Sequence, residues 1–325
     1  MIARPRRAAL QLCFLAALCT LAAGLASCGS SGDAGAADGA ESISGARLIA
    51  RSVDRKDPFV NGRLVLIDAG GRRRLAADDL ECERVAYSGE RGLCLMAEAN
   101  GEPARAILFD SGLGESGALP LEGLPMQATV STDGRYGAMT VASNANVEPD
   151  DEEGGVVTAT TIVDMRGGKP VADLEEFSLL RHGRPWGAKE PRFSGVTFAP
   201  DDTRFYATVQ AEGTLYLAAG NLKAHTLRLL RAGVDAPSLS PNGRYLAYKA
   251  HRHEGEPWRL EVLDLKTMRS RPLAERRQIT EQVGWDGNGA LVYSDGFDVY
   301  TVPVAGHGSP RMVLPDATSP AAPAS

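Results

Sequence analysis

Five times along this 325-residue chain the same short pattern returns. An apolar strand runs into a turn of Pro, Asp, Asn and Gly, and an aromatic-rich strand follows. Ser238–Tyr248 (SLSPNGRYLAY) is the clearest copy, and Val196–Tyr206 (VTFAPDDTRFY) is the second. Ala128–Tyr136 (ATVSTDGRY), Val85–Leu95 (VAYSGERGLCL) and Val283–Tyr293 (VGWDGNGALVY) complete the set. Asn-Gly and Asp-Gly supply the positive φ that tight hairpins need. Ser88 and Ser131 are 43 residues apart, Thr203 and Gly243 are 40 apart, and Gly243 and Gly287 are 44 apart. The 69 residues from Gly134 to Thr203 read as one period plus insertions.

Two more strands follow each turn. Trp258–Asp264 and Arg269–Leu273 complete one unit, Thr214–Ala219 and Thr226–Leu230 a second, and Phe297–Val302 and Pro310–Leu314 a third. Four strands in a period of 40 to 45 residues is the pattern of β-propeller blades. No long segment of period 3.6 competes with it. The 36 Gly and 19 Pro suit a chain with many turns. A partial unit, Arg47–Arg51, Arg63–Asp68 and Arg72–Ala76, precedes the five turn-bearing ones. If the chain's end or the Ile43 region adds its missing strand, the ring closes. The expected fold is therefore all-β, a six-bladed propeller of four-stranded antiparallel blades over residues 46–315.

The SPNGRYLAY and APDDTRFYA segments resemble the repeat of the TolB family and its relatives. The resemblance runs over residues 81–314 and implies a propeller, with little to say about a ligand. The chain departs from that family in showing no separate N-terminal α/β domain before the first strands. In some serine peptidases a hydrolase domain follows such a propeller. Here the repeats run to residue 314, and no such domain is expected.

Residues 1–27 read as a secretory signal. Arg4, Arg6 and Arg7 precede the uncharged run Ala8–Ala23, the tripartite order of an export sequence. The closing Leu25-Ala26-Ser27-Cys28 resembles the lipobox of bacterial lipoproteins. That resemblance implies cleavage before Cys28 and a diacylglycerol on its thiol. The alternative is a transmembrane anchor, for which the run is short against the roughly 20 residues a span needs. Loss of residues 1–27 leaves 32 basic and 41 acidic side chains and a formal charge of −9. Such a chain attracts neither nucleic acid nor anionic lipid through its overall charge. Residues 28–45 then form a lipidated, Gly-rich tether spanning roughly 20–25 Å. Residues 316–325 (DATSPAAPAS) read as a disordered tail.

Cys82 and Cys94 remain after the signal and Cys28 are set aside. In an oxidising compartment such a pair tends to form a disulfide. Here it would staple the hairpin of the second blade; the alternative is two small buried apolar residues. The insertion Phe177–Phe193 carries Arg181, Arg184, Trp186, Lys189 and Arg192. Arg and Trp are favoured at binding hot spots, which makes these five the candidate partner-binding residues. The competing reading has Trp186 merely packing on the blade rim. His251 and His253, with Glu254 or Glu256, could hold a metal, but a solvated polar loop is the better reading. Glu148–Gly155 lacks the spacing of a calcium loop and reads as a solvated acidic insertion.

No nucleophile elbow, zinc-protease pair or phosphate-binding glycine loop occurs, and no cofactor or metal is expected. The chain is read as a non-catalytic exported lipoprotein on a bacterial cell membrane or envelope. Its propeller would bind or scaffold an envelope protein or a cell-wall polymer. The alternative is a metal-dependent propeller hydrolase or dehydrogenase with a site in the central channel. The inner strands Ala128–Val130, Val196–Phe198 and Ala236–Leu239 are mostly apolar, which weighs against it. Replacing Cys28 with Ser is expected to abolish incorporation of labelled fatty acid. Persistent labelling of Cys28→Ser would refute the lipobox reading.

Overall fold

The computed structural model describes residues 42–323 apart from 54–55, 57–59, 77–79, 100, 144–156, 202 and 252–256. Among them the strands form six sheets, the blades of a propeller, each with four antiparallel strands. Blade 1 holds β1 (Ala46–Ser52), β2 (Leu64–Asp68) and β3 (Arg73–Leu75). Blade 2 runs through β4 (Arg84–Ser88), β5 (Arg91–Met96), β6 (Arg105–Asp110) and β7 (Glu115–Pro120). Blade 3 runs through β8 (Leu124–Val130), β9 (Tyr136–Ser143), β10 (Val157–Asp164) and β11 (Lys169–Asp173). The short strands β12 (Ser178–Arg181) and β13 (Arg184–Pro185) come next. Blade 4 follows with β14 (Arg192–Phe198), β15 (Arg204–Ala211), β16 (Thr214–Asn221) and β17 (Thr226–Ala232). Blade 5 comprises β18 (Val234–Leu239), β19 (Tyr245–Ala250), β20 (Arg259–Asp264) and β21 (Arg269–Pro272). Blade 6 comprises β22 (Gly284–Asp286), β23 (Ala290–Asp295), β24 (Asp298–Pro303) and β25 (Arg311–Leu314). A last strand, β26 (Ala317–Ala321), returns to blade 1.

That return corrects the reading of residues 316–325 as a disordered tail. β26 pairs antiparallel with β1, opposing Ser52 to Ala317, Arg51 to Thr318 and Ile49 to Ala321. Val85 N–H donates to Ser319 Oγ at 2.9 Å, and the Ser319 N–H donates to Ser294 Oγ at 3.0 Å. The small side chains that made this stretch look disordered are what fit beside the ring's axis. Pairing removes an open sheet edge, whose bare N–H and C=O groups would otherwise template aggregation.

The turn motif has a common physical basis. In Ser131–Tyr136, Ser131 Oγ donates to Asp133 Oδ1 and accepts from Tyr136 N–H. Ser240 Oγ likewise pairs with Asn242 Oδ1 and with Tyr245 N–H. Each such bond contributes about 1 kcal/mol net. Successive turns also touch. A Cβ on Gly134 (φ 69°) would lie 2.4 Å from the Gly89 carbonyl oxygen, so only glycine allows this approach. Asn242 N–H donates to Asn288 Oδ1 at 3.1 Å. The turns therefore gather at one end of the propeller, here called the turn end. Ser42 and Ile43 bond to the Ser111 carbonyl beside the same end, so the described chain enters there.

The core is divided among the blade interfaces. Ile49, Leu64 and Leu66 meet Val85, Ile107 and Phe109 between blades 1 and 2. Leu93, Leu95 and Leu108 meet Met139, Val141 and Val163 between blades 2 and 3. Corresponding clusters fill the four remaining interfaces. A middle strand such as β5 is thus covered on both faces and reads as a continuous apolar run, while β7 at the rim is largely exposed. Cys82 and Cys94 are bonded, with Cα atoms 5.3 Å apart, and both are buried. The bridge ties the entry of blade 2 to its second strand, and such loops gain roughly 2–4 kcal/mol.

Ending the chain at Pro315 removes β26 and is expected to leave a protein that aggregates and melts without a cooperative transition. Thermal melting and size-exclusion chromatography check this. A truncated chain that stays monomeric and melts like the full one would show that β26 does not close the ring.

Candidate functional site

The six innermost strands surround a central cavity of about 440 Å³. It differs at its two ends. At the turn end it is lined by Thr132, Phe198, Leu239, Pro241, Asn242 and Asn288. Toward the other end polar side chains cross it. Gln282 Nε2 donates to the Pro237 carbonyl at 2.6 Å and to the Val196 carbonyl at 3.2 Å. Gln127 Oε1 accepts from Gly195 N–H at 2.6 Å. Arg84 donates to the Met126 carbonyl at 2.8 Å and lies 3.7 Å from Glu281. Side chains and backbone from blades 2 to 6 thus tie together across the axis. Ala236 (φ 47°) and Gly195 (φ 62°) bend their strands at equivalent bulges to let this happen.

The insertion Phe177–Phe193 is not a loose loop. Ser178–Arg181 pairs parallel with the outer strand of blade 4, opposing Leu179 to Leu227 and Leu180 to Arg228. A two-residue turn at His182 (φ 52°) and Gly183 (φ 76°) leads into β13, which makes a six-stranded sheet. Apolar residues decide this docking. Phe177 and Leu179 are buried, and Phe177 packs edge-on against Phe205. β12 runs parallel to β17, so its Arg181 end points away from the turn end, where Arg192 begins β14. The chain from Trp186 to Arg192 crosses the blade from rim to axis. Arg181, Arg184, Trp186, Lys189 and Arg192 are thereby collected along one end of blade 4.

Their environments differ. Trp186 is half-buried, edge-on to Tyr216 at 5.9 Å, with the Arg181 guanidinium 5.2 Å from its ring centroid. Its ring therefore packs on the blade and supports Arg181. Arg181, Arg184 and Lys189 are exposed and Arg192 is half-buried. Among the described residues none of these four cations forms an ion pair. Arg181 and Arg184 stand directly opposite one another in the hairpin register. Like charges so placed are destabilising.

Cys28, the acidic run 148–155, and His253, Glu254 and Glu256 lie outside the described residues. His251 stacks on Trp258 at 4.5 Å. Among the described residues no three His, Cys, Asp or Glu side chains cluster as a metal site would require.

Solved structures of low sequence identity share this architecture. TolB from Acinetobacter baumannii aligns over 86% of this chain and 67% of its own, with a TM-score of 0.61 and 15% identity. The fold is a TolB-like β-propeller. A putative TolB from Agrobacterium tumefaciens aligns over 84% and 90%, with a TM-score of 0.51 and 13% identity. A chain of the nidogen–laminin complex aligns over 84% and 96%, with a TM-score of 0.56 and 12% identity. No protein-family model matches the sequence, and no curated protein is significantly similar to it.

Of the titratable groups that burial raises in this TolB-like propeller, Tyr87 lines the central cavity, whereas Glu175, Tyr248 and Tyr293 do not. Tyr248 is pushed up to about 12 by burial, and its hydroxyl bonds Glu261 and Ser270 at 2.8 Å each. Burial pushes the buried Glu275 carboxyl up. The Tyr293 hydroxyl, the Arg277 and Arg276 N–H groups and the Arg277 guanidinium outweigh it and hold the group below its ordinary value of 4.5. A lowered carboxylate contributes stability that is present above its unfolded value and lost as pH falls through the folded one. Glu275→Gln is therefore expected to melt lower than the parent above about pH 5. The gap should close as pH falls toward 3. Thermal melts across that range check it, and a gap that stays constant would show that the ionised carboxylate is not what stabilises.

Proposed function

We propose that this chain is an exported, non-catalytic lipoprotein whose TolB-like propeller binds or scaffolds an envelope protein or polymer. The N-terminal segment supports export and anchoring through Cys28. The collection of Arg181, Arg184, Trp186, Lys189 and Arg192 at one end of blade 4 carries the binding reading. These residues come from an insertion of 17 residues; Arg181, Arg184 and Lys189 are exposed, and Trp186 and Arg192 are half-buried beside them. Arginine and tryptophan are over-represented where binding energy concentrates. The channel supports the non-catalytic part. Gln127, Gln282 and the Arg84–Glu281 pair there are engaged in joining blades, while the Thr129 hydroxyl is buried without a partner among the described residues.

The test begins with a lipid-preserving pull-down of the full chain from membranes and uses the partner it recovers. Trp186→Ala removes the platform under Arg181 and is expected to weaken binding by about 1–2 kcal/mol. Arg184→Ala should act mainly on salt-dependent association. Its melting temperature should barely move, because exposed substitutions stay within about 0.5 kcal/mol. If both variants fold and bind the partner as the parent does, this surface is not the contact site.

A further inference from the structure

We infer that the surface on blade 4 recognises a linear polymer carrying phosphate groups. This rests on the reading of that surface as the contact site and adds the chemistry of what it contacts. Four observations carry it.

Arg181 and Arg184 stand opposite each other on adjacent strands with no carboxylate between them. Strands lie about 4.8 Å apart, so the two side chains leave the hairpin side by side, with the Arg181 guanidinium over the Trp186 ring. A carboxylate has two coplanar oxygens, which one fork satisfies. A phosphate spreads its oxygens tetrahedrally and accepts two forks from different sides. The repulsion built into the hairpin is relieved by such an anion.

The cations form a line. They run from the hairpin at the rim to Arg192 on the innermost strand, across a six-stranded sheet on the order of 24 Å wide. Neither the central cavity nor the pocket between Pro200 and Lys266 is lined by any of the four. An exposed line of charge fits an extended chain better than a compact ligand. Among the described residues, Glu190 and Glu212 are exposed acids on the chain near these cations, and neither forms an ion pair with them.

Trp186 is committed. Its ring carries Arg181 on one side and abuts Tyr216, so it orients a guanidinium rather than offering a free aromatic anchor. That argues against a protein partner that would insert its own side chains there.

Position sets these cations apart from the point at which the described chain enters. The described chain enters beside the turn end, through Ser42 and Ile43. The cations gather toward the opposite end of blade 4.

The probe is long-chain polyphosphate, titrated against the full chain in detergent. Binding should weaken roughly 50- to 150-fold between 50 and 200 mM salt, as expected for about four charge contacts. The Arg181→Glu/Arg184→Glu double variant should lose at least tenfold with unchanged melting and monomeric state. The Arg181→Lys/Arg184→Lys variant keeps the charge but loses the forks, and should weaken severalfold. Equal binding by parent and Glu variant would overturn the inference. So would tighter binding of polygalacturonate, which has carboxylates, or binding confined to phosphatidylglycerol vesicles. If polyphosphate fails while a pulled-down partner still depends on Arg184 and Trp186, only the polymer chemistry falls. If neither depends on them, the contact site falls too.

Discussion

Closure of the ring by β26 is the constraint on which the other parts depend. Every blade buries apolar residues against two neighbours, so a gap anywhere would expose two such faces at once. Blade 1 holds three strands from the start of the described chain and one from its end. The bonds from Val85 to Ser319 and from Ser319 to Ser294 then join blades 2, 1 and 6 near the axis. With the circle closed, inner strands from all six blades face one axis, and the Gln282, Gln127 and Arg84 ties across it become possible.

Much of this was legible because the turn motif is local. Ser, Asp or Asn, and Gly at fixed offsets make hydrogen bonds within six residues, as at Ser131–Tyr136, so the pattern survives in the sequence wherever the turn is needed. A second local pattern was present and went unread. Asp68, Asp110, Asp164 and Asp264 end the third strand of their blades, and Asn221 does so in blade 4. Each accepts backbone N–H bonds from the turn that follows. These residues mark blade 1, which has no turn motif, and blade 3, where insertions stretch the period.

What the sequence did not disclose lies in long-range pairing. Ala317–Ala321 is small, polar and contains Pro, which is the composition of a tail; its partner Ile49 is more than 260 residues away. β12 pairs parallel with a strand that follows it by some 48 residues, and parallel addition at a rim leaves no turn signal. The five candidate contact residues were found by composition. Their alignment on one end of the blade, and the use of Trp186 as a support for Arg181, came only from that pairing.

The parallel docking of β12 also bears on how the molecule opens. β13 and β12 sit outside a blade whose own four strands are complete without them. Local opening of a protein begins where the fewest buried contacts are lost. Opening of this appendage would cost the packing of Phe177, Leu179, Trp186 and Ala188 in one inter-blade cluster and leave the other five clusters whole. The cationic line is thereby a part that can exchange between engaged and released states on its own timescale. A ligand gripping Arg181 and Arg184 would slow amide exchange at Leu179–Leu180 and Trp186 without altering exchange in the blades' central strands.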